Sequence, residues 1–305
     1  MLMEAMLLFA TLFWGLSFIW IKQVSNWGID ANVFLTLRYS IAALLILPFC
    51  TKELRTITRR ELIYGLLIGV LMFLAMGFQT YGLNHTTPAN SAFITTTYVV
   101  FVPFASWIVM RQRPQGYVGI PIALCVLGLY ILTLGGGEKL GFNLGNLFTL
   151  VCAVAWAFQV TVLSKAGAAC RIKALTILPL LTVTTISSVV TVASGVPLRS
   201  FIEIGSAWLP IVLSALFPTL LAGMAQAVAQ RSVTPTRAAM IYSLESVFAC
   251  GASALMGMDT LSLHLTGGGA MIVAAVALNE LLTHIHGKAP QNAASHQQEA
   301  SENGK

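Results

Sequence analysis

The residues able to do chemistry in this chain lie in apolar surroundings, where charge is costly. Glu245 stands near the middle of the apolar stretch 238–257, and a carboxylate at the centre of a bilayer costs roughly 2.5–3.5 kcal/mol. Three readings are open for it. Its protonated form, favoured by desolvation, suits a proton carrier. As an anion it pairs with a cationic group on a solute. As a neutral acid it joins helices by hydrogen bonding. Tyr242, three residues earlier, shares its helix face, and Thr95 and Tyr98 repeat that spacing. These four are the candidate solute-facing positions, as two polar faces opposed across the midplane. Arg38, in the outer third of a second apolar stretch, either neutralises an anionic group or snorkels to the interface. Gln79 and Gln226 either line a polar path or tie helices together. Trp14 and Trp156, with Tyr39 and Tyr81, either stack on a solute or pack.

These positions belong to a duplication. The stretch 79–101 (QTYGLNHTTPANSAFITTTYVVF) returns as 226–248 (QAVAQRSVTPTRAAMIYSLESVF), matching Gln79 to Gln226, Pro88 to Pro235 and Phe101 to Phe248. The register sets Thr95 opposite Tyr242 and leaves Tyr98 as the neutral counterpart of Glu245. Trp14 and Trp156 hold similar places in LFATLFWGLSF and LVCAVAWAFQV. Each Thr-Pro pair, Thr87-Pro88 and Thr234-Pro235, reads as an N-cap and first helical residue. Asn90 and Arg237 then fall in first turns at opposite mouths, as gate candidates.

Elements of one kind must position these residues. Charged residues make up 9% of the 305 residues and hydrophobic ones 57%, and the mean hydropathy is +0.81; soluble domains carry about 25% charge. Apolar runs long enough to span a bilayer are expected at 3–21, 33–49, 62–83, 89–110, 116–134, 146–163, 174–193, 208–229, 238–257 and 261–282. The fold class is therefore all-α integral membrane, with ten transmembrane helices arranged as two five-helix repeats. An odd number of spans per repeat inverts the second against the first. The expected parts are a first repeat 1–134, a linking loop 135–145, a second repeat 146–284 and a disordered tail 285–305. Gly65 and Gly69 form a GxxxG suited to close helix approach, as do the triple glycines at Gly135 and Gly267. Pro103, Pro121, Pro179 and Pro218 are expected to kink their helices.

Thirteen of the seventeen lysines and arginines fall on one side of these spans. Only Lys22, Lys139 and Arg199 fall on the other, and Arg38 lies within a span. Positive charge is retained in the cytoplasm, which puts both termini there, in a multi-pass membrane protein. The repeat agrees: NHTTPAN near Asn84 has no basic residue, while RSVTPTR from Arg231 has two. The basic balance thus reports topology and lipid contact, and no nucleic-acid partner is expected. The first span lacks a basic n-region and a cleavage pattern, and reads as a retained helix.

No His-Glu-x-x-His, Gly-x-Ser-x-Gly or P-loop occurs, so neither an enzyme nor a nucleotide-driven pump is expected. Cys50, Cys125, Cys152, Cys170 and Cys250 are scattered without a Cys-x-x-Cys pair and read as buried thiols, with no metal and no cofactor. The expected partners are a small-molecule substrate and the lipid bilayer, and no oligomeric state is set by the sequence.

Trp14-Gly15, LRYSIAALLILP with Arg38, TTPANSAF before the fourth span and SVTPTRAAMIYSLESVF at the ninth together resemble the EamA family of the drug/metabolite transporter superfamily, over residues 4–284. The resemblance implies a ten-helix inner-membrane carrier, commonly an exporter of amino acids or other metabolites, with a central cavity between the halves. Three positions depart from the pattern. Ser246 stands where the family usually has proline, which bears on how the ninth helix bends, and Gln112 and Asp259 replace the usual loop residues, which bears on gating. The expected activity is secondary transport by alternating access, with proton coupling through Glu245 left open. The alternatives are an uncoupled facilitator or exchanger and, from another class, an intramembrane enzyme or lipid-handling scaffold.

Overall fold

A computed structural model of the chain describes residues 2–83, 85, 88–111, 113–134, 144–201, 204–255 and 263–302, with side chains as far as Ile285. Residues 135–143 of the expected linking loop, Thr87, Gln112 and Asp259, and the side chains of Asn90 and of the residues beyond Ile285, lie outside what is described, while the backbone of the expected disordered tail continues as helix to Glu302. The described residues form helices at each of the ten expected stretches. The first three spans are unbroken: Leu2–Asn26, Ala31–Arg55 and Arg59–Leu83. The fourth has two pieces, Pro88–Thr96 and Tyr98–Met110, and the fifth is Gly119–Leu134. The sixth and seventh are Leu144–Gly167 and Ile172–Ala193. The eighth runs as Trp208–Ser214, a π-helical segment Ala215–Leu221, and Ala222–Ala229. The ninth is again double, Pro235–Tyr242 and Leu244–Leu255, and the tenth begins at Leu263.

Several helices outlast the apolar runs that announce them, because polar residues continue the backbone bonding beyond the hydrocarbon. The second starts where Asp30 Oδ1 accepts from the backbone N–H groups of Asn32 (2.8 Å) and Val33 (3.3 Å), serving donors that a helix start leaves unpaired. The ninth starts at Pro235 after Thr234, as expected, but the Thr234 side chain makes no capping hydrogen bond.

The two halves interlock. The third helix packs on the sixth and seventh, the second on the seventh, the fifth on the tenth, the fourth on the sixth, and the first on the eighth and ninth. Each of these pairs joins the first half to the second, so neither half has a finished interior alone. Lipid tails give no hydrophobic drive for such pairing, and close van der Waals approach carries it. A Cβ on Gly65 would lie 2.5 Å from Leu178 Cβ, and one on Gly69 would lie 2.4 Å from Thr182 Cβ. The GxxxG of the third helix therefore sets its distance to the seventh. Gly268 does the same for the tenth helix against Leu132 of the fifth. Gly15 brings the first helix against the ninth, where a Cβ would lie 2.8 Å from the Glu245 carbonyl oxygen.

At the end of the bundle rich in basic residues, ion pairs tie the halves. Arg171 meets Glu61 through Nε to Oε1 at 2.6 Å and Nη2 to Oε2 at 2.7 Å, and its backbone N–H adds a third bond to Oε1 at 3.1 Å. It also donates to Thr56 Oγ1 and to the Thr56 carbonyl. The Glu61 carboxylate beside it holds the Arg171 guanidinium above its ordinary pKa. Lys173 pairs with Glu53 at 3.2 Å. Arg237 lies between Glu280 of the tenth helix and Glu4 of the first.

Two outcomes follow for stability. Gly69→Leu overpacks the third helix on the seventh and is expected to cost about 1–3 kcal/mol, read as a lower melting temperature of the purified protein. Arg171→Gln leaves the enclosed Glu61 carboxylate without its cation, so its melting temperature is expected to fall, and the swap Glu61→Arg with Arg171→Glu is expected to restore part of the loss.

Candidate functional site

Three of the ten spans depart from α-helix near mid-membrane, and the site forms around those departures. In hydrocarbon every backbone carbonyl released by a break needs another donor. At the ninth helix, Ser243 Oγ donates to the Met240 carbonyl at 2.6 Å, and the Ser243 N–H is shared between the Ala239 and Met240 carbonyls. At the fourth, Thr97 Oγ1 donates to the Ile94 carbonyl, and the Thr97 N–H is shared between Phe93 and Ile94. Hydroxyl back-bonding of this kind bends helices, so the ninth helix breaks without a proline at 246. Ser246 uses its hydroxyl instead to meet Thr96 Oγ1 at 2.9 Å, which links the two breaks across the halves.

The eighth helix departs through Pro218. Proline has no N–H to offer the carbonyl four residues back, here that of Ser214. The turn widens to π geometry over Ala215–Leu221, and Thr219 Oγ1 donates to the Ser214 carbonyl at 2.8 Å. The Pro218 carbonyl accepts from Trp14 Nε1 at 2.8 Å, and Thr219 Oγ1 accepts from Arg38 Nε. One irregular turn of the second half thus orients two side chains of the first.

A cavity with about 750 Å³ of empty space, its open part included, lies among these breaks. All nine expected solute-facing residues line it: Trp14, Arg38, Gln79, Thr95 and Tyr98 from the first half, and Trp156, Gln226, Tyr242 and Glu245 from the second. Tyr39 lines it too, whereas Tyr81 is 42% exposed on the outer surface, where its hydroxyl accepts from Asn32 Nδ2. Gln79 Nε2 donates to Thr95 Oγ1 at 3.5 Å, and Gln226 Nε2 to Gln159 Oε1 at 3.4 Å, so both amides border the cavity and join helices. The Trp14 and Tyr242 rings meet edge to face with centroids 5.0 Å apart. Sequence reasoning missed Ser17, Met72, Met76, Thr219 and Gly223 on the wall. Of these, only Thr219 carried a signal, its place beside an in-span proline.

Glu245 and Arg38 face this one cavity, and no ion pair joins them among the described residues. Arg38 is 3% exposed, with its guanidinium carbon 5.8 Å from the Phe34 ring centre and 5.9 Å from that of Tyr39. Such a wall offers a carboxylate, a guanidinium, amides, hydroxyls and apolar surface to a small solute. Arg237 and its ion pairs sit away from the cavity, at the basic end of the bundle.

Known proteins resemble the chain at both levels. A crystal structure of a protein superposes with a TM-score of 0.75 at 16% identity, covering 92% of this chain and 97% of its own, which shows a shared fold. An uncharacterized transporter of Archaeoglobus fulgidus is 30% identical over 238 residues, 78% of this chain and 72% of the relative. The EamA-like transporter family matches twice, at residues 1–134 and 143–281, one match for each repeat. The chain is thus a multi-pass membrane transporter and belongs to the EamA-like transporter family.

Proposed function

We propose that the protein exports small metabolites, amino acids or related compounds, across the cell inner membrane by alternating access of its two inverted halves. Both termini face the cytoplasm in this reading, which the distribution of basic residues supports. The substrate sits among Glu245, Tyr98, Tyr242, Thr95, Gln79, Gln226, Trp14, Trp156 and Arg38. Glu245 serves as the cation partner and proton-coupling group. Arg237, with its ion pairs to Glu4 and Glu280, belongs to the cytoplasmic gate, and Asn90 to the opposite one.

The observation that carries this reading is that Arg38 and Glu245, one from each half, border a single cavity with no ion pair between them among the described residues. A solute with both an ammonium and a carboxylate group complements that arrangement. It would bridge the halves, so its occupancy couples to their relative motion. The apolar wall formed by Phe18, Ile21, Met72 and Met76 leaves room for a side chain of varied shape.

The test compares metabolites released by cells carrying the wild-type chain, an empty vector or Glu245→Gln at matched membrane abundance. A compound should accumulate outside with the wild type. Glu245→Gln should lower its release by roughly tenfold to a hundredfold, the equivalent of one charge-assisted hydrogen bond of about 1.5–3 kcal/mol. Unchanged release from Glu245→Gln with altered substrate preference would favour an uncoupled facilitator. Identical media from all three strains would count against export.

A further inference from the structure

We propose that the π-helical turn Ala215–Leu221 builds a carboxylate subsite on the cavity wall, in which Thr219 positions Arg38 to receive the anionic end of the solute. This rests on the reading of the cavity as a substrate site and assigns one end of it. The Thr219 hydroxyl has one proton, and it is given to the Ser214 carbonyl, to which Pro218 offers no N–H. Only lone pairs remain on Thr219 Oγ1, so toward Arg38 it acts as an acceptor, and it takes Nε. That contact fixes the guanidinium by its inner edge. Phe34 and Tyr39 sit within cation–π range and limit its movement further.

The outer edge is left over. Nη1 is enclosed and has no acceptor, and Nη2 has none among the described residues. A buried guanidinium with unserved donors is a costly arrangement in the absence of a ligand. The planar fork of Arg matches a carboxylate through two parallel N–H groups, which a Lys ammonium does not reproduce. The same turn holds Trp14 through the Pro218 carbonyl, so the aromatic wall and the cation are set by one element. Arg38 comes from the second helix and Thr219 from the eighth, which makes the subsite complete only while these helices of opposite halves stay in register. The third helix, which corresponds to the eighth in the repeat, runs unbroken over Arg59–Leu83, so the subsite has no twin and the cavity binds an anionic group at one end only.

The probe is acetate, read as thermal unfolding of the purified full chain in sodium acetate against sodium chloride of equal ionic strength. The wild type is expected to gain a saturable rise of several degrees in acetate alone. Arg38→Gln and Thr219→Val are expected to lose that rise, and Thr219→Ser, which keeps the hydroxyl, to retain it. Arg38→Lys is expected to lose most of it, because charge without the planar fork is insufficient. The proposal is overturned if acetate stabilises the wild type no more than chloride does, a result that needs no variant to fold. It is equally overturned if Thr219→Val or Arg38→Gln keeps the full rise. Because the readout is anion binding rather than export, loss of the acetate effect with Glu245-dependent release intact would remove this subsite and leave the transport reading standing, and the reverse pattern would do the opposite.

Discussion

Hydrocarbon supplies no hydrogen bonds, and the central architecture of this protein follows from that. A helix that breaks in a membrane exposes carbonyls that only the protein can satisfy. Here hydroxyls do so at all three interruptions: Thr97 toward Ile94, Ser243 toward Met240, and Thr219 toward Ser214. Breaks served in this way cost little, and they let polar side chains gather at a depth where unbroken helices would present a uniform apolar face. The cavity lies where the backbone is satisfied in this way, and Thr219, which bonds the Ser214 carbonyl, also holds the cavity side chain of Arg38.

The duplication supplies the frame and its divergence supplies the polarity. Equivalent helices break at nearly equivalent places, Thr97 and Ser243, and the Thr96 and Ser246 hydroxyls join the breaks. The equivalence then stops. Tyr98 is neutral where Glu245 is acidic, and the third helix is continuous where the eighth is π-helical. The acid comes from one half and the guanidinium from the other. Any solute that contacts both charges holds the two halves together, whereas a solute carrying one charge engages one half. Under the proposed alternating access, this would link substrate choice to the relative motion of the halves.

Much of this was legible in the sequence, for identifiable reasons. The ten helices follow from apolar run length, and six of the wall residues, Gln79, Thr95, Tyr98, Gln226, Tyr242 and Glu245, from superposing 79–101 on 226–248, because helix period and repeat register together fix which residues share a face. Gly65 and Gly69 were readable as a packing pair for the same reason. Pro218 marked the departure of the eighth helix, but the breaks of the fourth and ninth were not legible. A serine or threonine in an apolar helix bonds its own backbone in straight and broken helices alike, as Thr161 and Thr182 do here within unbroken spans. Composition therefore did not mark Thr97 or Ser243 as special. The role of Thr219 required knowing that Pro218 frees the Ser214 carbonyl within reach, and the ion pairs of Arg171 required knowing which loops end side by side. Tyr81 shows the converse, since an aromatic at span depth gave no sign of which face it lay on.

The central claim is that the space between the halves is the path of transport. Gly223 lines the cavity, and a Cβ there meets nothing within 4 Å, so Gly223→Cys puts a thiol into the open space without displacing a neighbour. With the five native cysteines replaced, a membrane-impermeant thiol reagent is applied to intact cells and to inverted vesicles, and release of the exported compound is followed. The account predicts that the reagent reaches Cys at 223 from at least one face and blocks release, and that the exported compound slows the modification. Modification that leaves release unaffected, or no modification from either face, would contradict it.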